Sequence, residues 1–163
     1  MNAMTDDSEN TLYFDLPAGR VTIRLRPDLA PSHVTRIKEL VRQGFYDGTP
    51  FHRVMEGFMA QGGDPKGTGT GGSGQKLKGE FSKEPFKRGT CGMARTQDPN
   101  SADSQFFICL ADCDFLTGSY TVWGEVLDGM DAVDALKKAP AGRQSGAVDD
   151  PDHLQKATVA ADA

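Results

Sequence analysis

Long apolar runs are missing from these 163 residues, and no window approaches the roughly 20 apolar residues that a membrane-spanning helix needs. The opening stretch, Met1 to Glu9, has neither a cationic start nor an apolar centre. That excludes an ordinary secretory signal there and makes the cytoplasm the expected compartment, with no membrane partner. Cysteine is scarce: Cys91, Cys109 and Cys113 make an odd set with no C-x-x-C spacing. A zinc pair from Cys109 and Cys113 would need two further ligands, and His153 is the nearest downstream candidate, so no metal is expected. Reduced, unpaired thiols are the favoured reading. Cys109 sits in the apolar run 106–110 as a small hydrophobe, whereas Cys113 lies in a polar stretch and is a candidate for exposure.

An excess of positive charge is also lacking. With 18 Lys and Arg against 23 Asp and Glu, the net charge is −5 and the pI about 5.1. This argues against a phosphate-backbone binder, so no nucleic-acid partner is expected. The glycine-rich stretch 67–74 has no Gly-Lys-Ser/Thr ending and no following helix, which rejects a phosphate cradle. No G-x-S-x-G elbow and no internal repeat occur. Asp98, Asp112 and Asp114 read as solvated loop charges, and no cofactor is called for.

What is present is glycine, 19 residues, with 9 prolines and a modest hydrophobic share of 37%. Such a composition leans towards a turn-rich, sheet-based fold. The length suits one domain over 11–163, preceded by a disordered tail over 1–10. Residues 12–16 and 21–25 alternate around a Pro17-Ala18-Gly19 break and predict a hairpin. Val34, Ile37, Leu40 and Val41 recur at helical spacing over 30–42, with Pro31 tolerated in the first turn. Strands are expected near 90–95, 105–110, 121–127 and 154–160. A second helix over 130–138 would carry Asp131 in its first turn and Lys137-Lys138 in its last. Many short strands with two distant helices predict an antiparallel barrel whose ends the helices plug.

The most informative stretch is Phe51-His52-Arg53-Val54-Met55-Glu56-Gly57-Phe58-Met59-Ala60-Gln61-Gly62-Gly63-Asp64. Strand alternation sends Phe51, Arg53 and Met55 one way and His52, Val54 and Glu56 the other. A second short strand begins at Phe58. A permanent cation, Arg53, two bulky apolar groups, Phe58 and Met59, and an amide, Gln61, can then share one concave wall. Such a wall suits a small apolar ring bearing a carbonyl, which describes a proline peptide bond. Taken singly, Arg53 would be a surface arginine and His52 an internal, hydrogen-bonded histidine. Phe106 and Trp123 would be core aromatics.

This run resembles the signature segment of the cyclophilin family of peptidyl-prolyl cis–trans isomerases. Three further blocks follow in family order. Residues 89–95 resemble a G-x-x-S-M-A segment, with Gly92 where serine is usual. Residues 100–108 resemble N-S-x-x-S-Q-F-F-I, and residues 115–126 resemble W-L-D-G-x-H-x-V-F-G-x-V. The resemblance covers roughly residues 12–160. It implies a closed, eight-stranded antiparallel β-barrel capped by two α-helices. It also implies a cofactor-independent isomerase acting on Xaa-Pro bonds of proline-containing peptides and unfolded chains, most simply as a monomer. A proline-peptide holding module with little turnover is the alternative.

Carried over by position, the resemblance implies Arg53 as the central catalytic residue, with Gln61 beside it. Phe58, Met59, Phe107 and Leu116 would wall the proline pocket, and the backbone at Arg95 would bind the substrate chain. Ala94, Thr96, Ser101 and Gln105 would flank a neighbouring pocket. Phe115 stands where many relatives have tryptophan, Tyr120 where many have histidine, and Arg95 where asparagine is common. These departures resemble the bacterial branch. Loss of an indole N–H at position 115 implies weak binding of cyclosporin.

Overall fold

The computed structural model describes the backbone of residues 3–163 and the side chains from residue 7 onward. Eight strands form one sheet: β1 (Thr11–Leu16), β2 (Gly19–Leu25), β3 (Arg53–Met55), β4 (Met59–Gly62), β5 (Thr90–Met93), β6 (Phe106–Cys109), β7 (Val122–Asp128) and β8 (Lys156–Val159). Every pairing is antiparallel, and the spatial order is β3-β4-β6-β5-β7-β2-β1-β8. Two register shifts, at Thr22/Ile23 against β7 and at Cys91/Gly92 against β7, mark bulges that bend the sheet around its own interior.

The expected eight-stranded antiparallel barrel with two helices is therefore what forms, but its closure differs. No ladder joins the end strands β3 and β8. The gap is spanned by an isolated bridge between Pro50 and His153, with Phe51 N–H donating to Asp152 O and Leu154 N–H to Thr49 O. Pro50 has no N–H to extend such a ladder, and Pro151 lies just before its partner. The outer edge of β3 is covered instead by the segment 143–148. Val54 N–H donates to Gly146 O and Val148 N–H to His52 O.

Helix α1 (Pro31–Arg42) turns His33, Val34, Ile37, Leu40 and Val41 to the interior, as the periodicity requires. Its N-cap residue Ala30 offers no side-chain acceptor. Glu80 supplies one from a distant loop, accepting the Ser32 and His33 backbone N–H groups at 3.1 and 2.8 Å and the His33 Nδ1 at 2.6 Å. A carboxylate only accepts, so the neutral His33 ring carries its proton on Nδ1. Helix α2 (Met130–Asp134) is shorter than expected. Lys137 and Lys138 fall beyond it, Lys137 Nζ on Asp150 O and Lys138 Nζ on Asp134 O. Of the tail expected to be disordered over 1–10, residues 1 and 2 lie outside the described residues. Ala3–Asn10 runs as a 3-10 segment, and Glu9 pairs with Lys38 and Arg42.

The interior is organised around one ring. Phe106 lies 5.3 Å from Phe14, 5.6 Å from Tyr46, 5.9 Å from Phe51 and 6.1 Å from Trp123, centroid to centroid. All five rings are buried. Phe51 thus enters the core instead of sharing the face of Arg53, because regular strand geometry begins only at Arg53. A second apolar cluster lies on the outer side of the sheet: Met59, Phe86, Phe107, Cys109, Cys113 and Val122. Strands β5 and β6 are consequently buried on both faces, which explains their unalternating sequences. Cys113 belongs to this cluster, so it is buried and not exposed; its thiol points at Phe58 O, 3.7 Å away. Among the described residues no helix is long and apolar enough to cross a membrane.

Truncation of the central ring tests this arrangement. Phe106→Ala is expected to cost about 3–5 kcal/mol, the usual range for a buried aromatic, read as a lowered urea midpoint. Two pH windows follow from the α1 anchor and from partly buried His52. Burial depresses the His33 pKa despite Glu80 beside it, and burial likewise depresses that of His52. The unfolded chain therefore takes up protons first, so stability is full above about pH 6.5 and falls as the pH drops below it. Burial would raise the Glu80 carboxyl, but bonds from His33 and Ser32 outweigh it and hold it low. Its contribution is present above about pH 4.5 and is lost as the pH falls through its folded pKa. Urea midpoints from pH 7.5 to 3 should show both declines, and His33→Gln should flatten the upper one.

Candidate active site

Strand register builds the site. Arg53 pairs with Gln61 across β3–β4, Gln61 with Phe107 across β4–β6, and Phe107 with Gly92 across β6–β5. These four residues form one row across the sheet, and directly paired residues share a face. The row points outward, away from the Phe106 core. On the same face, two residues along, lie Met55, Met59 and Cys109.

A cavity of about 140 Å³ opens over this row, lined by Arg53, Phe58, Met59, Gln61, Ala94, Arg95, Phe107, Leu116 and Tyr120. Its floor is rigid. Phe107 stacks on Phe86 at 5.6 Å and 22°, and Tyr120 meets Phe107 edge-on at 5.6 Å and 87°. Gly92 makes this possible, since a Cβ there would stand 2.5 Å from Phe107 Cζ and 2.7 Å from Phe86 Cε2. A second cavity of about 420 Å³ shares Gln61, Ala94 and Arg95 with the first and continues past Thr96, Ser101, Asp103 and Gln105 to the glycine loop and Lys76.

The polar side is a directional chain of hydrogen bonds. Arg53 Nη1 donates to Gln61 Oε1 at 3.2 Å, Gln61 Nε2 to Gln105 Oε1 at 3.0 Å, and Gln105 Nε2 to Gly71 O at 3.0 Å. A guanidinium can only donate and a carbonyl can only accept, so the two ends fix both amide orientations. On its other side Arg53 Nε donates to Ser145 O at 3.0 Å.

The loop that supplies Gly71 is itself held by carboxylates. Buried Asp64 accepts the backbone N–H groups of Lys66, Thr68, Gly69 and Gly71, at 2.6 to 3.1 Å. Burial would raise its pKa, but these four bonds prevail and hold it below the ordinary value. Asp103 similarly takes the Ser73 N–H, the Ser73 hydroxyl and the Gly74 N–H.

Of the residues singled out from the sequence, Arg53, Gln61, Phe58, Met59, Ala94, Arg95, Phe107, Leu116 and Tyr120 meet at the smaller cavity. Thr96, Ser101 and Gln105 line the larger one. Phe115 lines neither. It is 73% exposed, its ring resting on the outer side of Phe58 at 5.8 Å. The Arg95 guanidinium is committed to structure: it donates to Ser119 O and Thr96 O and lies 4.8 Å above the Tyr120 ring. Thr96 and Ser101 bond each other, Oγ1 to Oγ at 2.8 Å. His52 is internal, but its Nδ1 has no hydrogen-bond partner among the described residues. Sequence reasoning missed Gly71, Lys76 and Asp103 beside the larger cavity, and Ser145 beside Arg53. No group of three or more His, Cys, Asp or Glu able to hold a metal is found among the described residues.

Residues 11–159 match the family described as cyclophilin type peptidyl-prolyl cis–trans isomerase. A probable peptidyl-prolyl cis–trans isomerase of Brucella suis is 55% identical over 98% of this chain and 87% of its own length. Peptidyl-prolyl cis–trans isomerase B of Escherichia coli is 42% identical over 77% of this chain and 82% of its own. Among solved structures, a cyclophilin from Hirschia baltica superposes with a TM-score of 0.85 at 30% identity, covering 96% of this chain and 76% of that one. A cyclophilin type isomerase of Cryptosporidium parvum, crystallised in the presence of the dipeptide Ala-Pro, gives 0.83 at 28% identity over 91% and 98%.

The floor of the smaller cavity can be tested directly. Gly92→Ala should push Phe107 off its stacked position. Because misplacement of about 1 Å can cost on the order of 100-fold in rate, a drop of about tenfold in kcat/KM for an Ala-Pro peptide is expected. Loss of the Tyr120–Phe107 nuclear Overhauser contacts should accompany it.

Proposed function

The chain belongs to the cyclophilin family of peptidyl-prolyl cis–trans isomerases, and on that premise we propose that its turnover is carried by Arg53 and Gln61 at the cavity above Phe107. The observation that supports this most is the placement of Arg53. A permanent cation stands at the rim of an apolar pocket, held from both sides, with donors left over to face a substrate.

Rotation about a peptide bond must break resonance worth about 18–20 kcal/mol. At Xaa-Pro bonds the uncatalysed exchange takes on the order of tens of seconds. Millisecond turnover requires about 5–6 kcal/mol from the enzyme. The twisted transition state loses conjugation, so the proline nitrogen becomes pyramidal and basic and the carbonyl is displaced. Arg53 would stabilise that nitrogen or that oxygen more than either planar ground state, which is differential binding. Met59, Phe58, Phe107 and Leu116 would hold the pyrrolidine ring and exclude water, strengthening the arginine's contacts. Gln61, its amide fixed by Arg53 and Gln105, would present the second Nε2 hydrogen to a substrate carbonyl. The Arg95 backbone would bind the chain on the residue side preceding proline. Ala94, Thr96, Ser101 and Gln105 would border the place of that residue's neighbour.

The substrates are proline-containing peptides and unfolded or partly folded chains, in keeping with the Ala-Pro dipeptide present with the Cryptosporidium relative. The acidic balance disfavours nucleic acid, and the protein would work as a single copy in the cytoplasm. Cyclosporin would bind weakly, since Phe115 offers no N–H donor.

NMR exchange spectroscopy of a short Ala-Pro peptide is the test. Wild-type protein should accelerate exchange, and Arg53→Ala should lower kcat/KM by more than about tenfold with an unchanged circular dichroism spectrum. A folded Arg53→Ala protein of near-normal activity removes the assignment. Binding without faster exchange in the wild type would instead point to a holding module.

A further inference from the structure

We propose that the segment 143–147 is a positioning strap for Arg53, in which the Ser145 carbonyl fixes the guanidinium and Gly146 leaves room for its stem; this rests on the reading of Arg53 given above. Arg53 lies on β3, the end strand of the sheet, with a regular partner on one side only. The segment 143–148 adds itself to the free side. Ala147 bridges Arg53, Gly146 O accepts the Val54 N–H at 3.0 Å, and Ser145 O accepts Arg53 Nε at 3.0 Å. With Gln61 holding Nη1, two acceptors on opposite sides set the plane of the guanidinium. Of its five N–H donors, three remain free to address a substrate.

Gly146 is where the strap touches the stem. A Cβ there would lie 2.7 Å from Met55 Cγ and 3.0 Å from Arg53 Cγ, so the atoms that would give way are those of the arginine and of its neighbour on β3. Its φ of +71° adds a backbone demand for glycine. The strap is tied back on itself by Arg143, whose Nη1 donates to Ala147 O at 2.9 Å and to Asp149 Oδ1 at 3.0 Å. Unlike the Gln61–Gln105 side, this restraint meets the guanidinium through a backbone carbonyl, that of Ser145.

Gly142, immediately before the segment, offers a matched control. Its φ is +84°, the same left-handed region, yet a Cβ there would meet nothing within 4 Å. Four proteins are compared: wild type, Gly146→Ala, Gly146→Asn and Gly142→Ala. Asparagine tolerates a positive φ, so Gly146→Asn separates contact with the stem from backbone strain. The readouts are kcat and KM for an Ala-Pro peptide and the Nε–H resonance of Arg53, assigned by its loss in Arg53→Ala.

Both Gly146 variants should move that resonance and lower kcat by about tenfold with little change in KM, while Gly142→Ala leaves both in place. An unmoved resonance in the Gly146 variants, or an equal loss of kcat in Gly142→Ala, overturns the strap. A moved resonance with unchanged kcat overturns the positioning role, whereas near-normal kcat in folded Arg53→Ala removes Arg53 from catalysis, so the two failures are distinct.

Discussion

The register of four neighbouring strands is the constraint on which the rest depends. It places Arg53, Gln61, Phe107 and Gly92 in one row across β3, β4, β6 and β5. A slip of one residue in any of these pairings would exchange the outward set for the inward set. The Phe106 ring, clasped by Phe14, Tyr46, Phe51 and Trp123, makes such a slip costly, because it would drag a groove residue into the barrel interior. Core and site are therefore successive residues of one strand, and the packing that stabilises the molecule also aims its cation.

The site has two unlike sides. The apolar side is rigid because rings stack on rings and because Gly92 adds no carbon between them. The polar side is rigid because a donor-only guanidinium and an acceptor-only carbonyl bracket two amides. Neither side depends on Arg95, whose charge is spent on Ser119 and Thr96 and on the Tyr120 face. The guanidinium that remains available at the groove is that of Arg53.

Much of this was legible in the sequence, and the reason is local. Alternation along 53–61 put Arg53 and Gln61 on one wall, and the order of four motif blocks supplied the opposite wall. Failures arose where geometry departs from a regular period. Phe51 precedes the start of regular pairing and turns inward. Cys113 and Phe115 flank or occupy a short 3-10 turn (Asp114–Leu116), where neither strand nor α-helix spacing applies. Closure by one bridge instead of a ladder was hidden for a similar reason, since the contact falls at Pro50 and His153, before the regular part of either end strand. Ser145 was illegible for another reason: it acts through its backbone carbonyl across 92 residues of chain, and every residue possesses one.

The glycine loop illustrates a different economy. Its shape is imposed from the backbone outward, by Asp64 and Asp103 gripping peptide N–H groups. The Lys66 side chain takes no part in those bonds, whereas the Thr68 hydroxyl adds one more by accepting the Thr70 N–H. The rim of the larger cavity is thus a frame in which Lys76 is an exchangeable fitting while Gly71 and Gly72 are not, since a Cβ at either would collide with the Asp64 or Asp103 carboxylate that holds the loop. Divergence in client preference among such barrels then needs no rebuilding of the sheet.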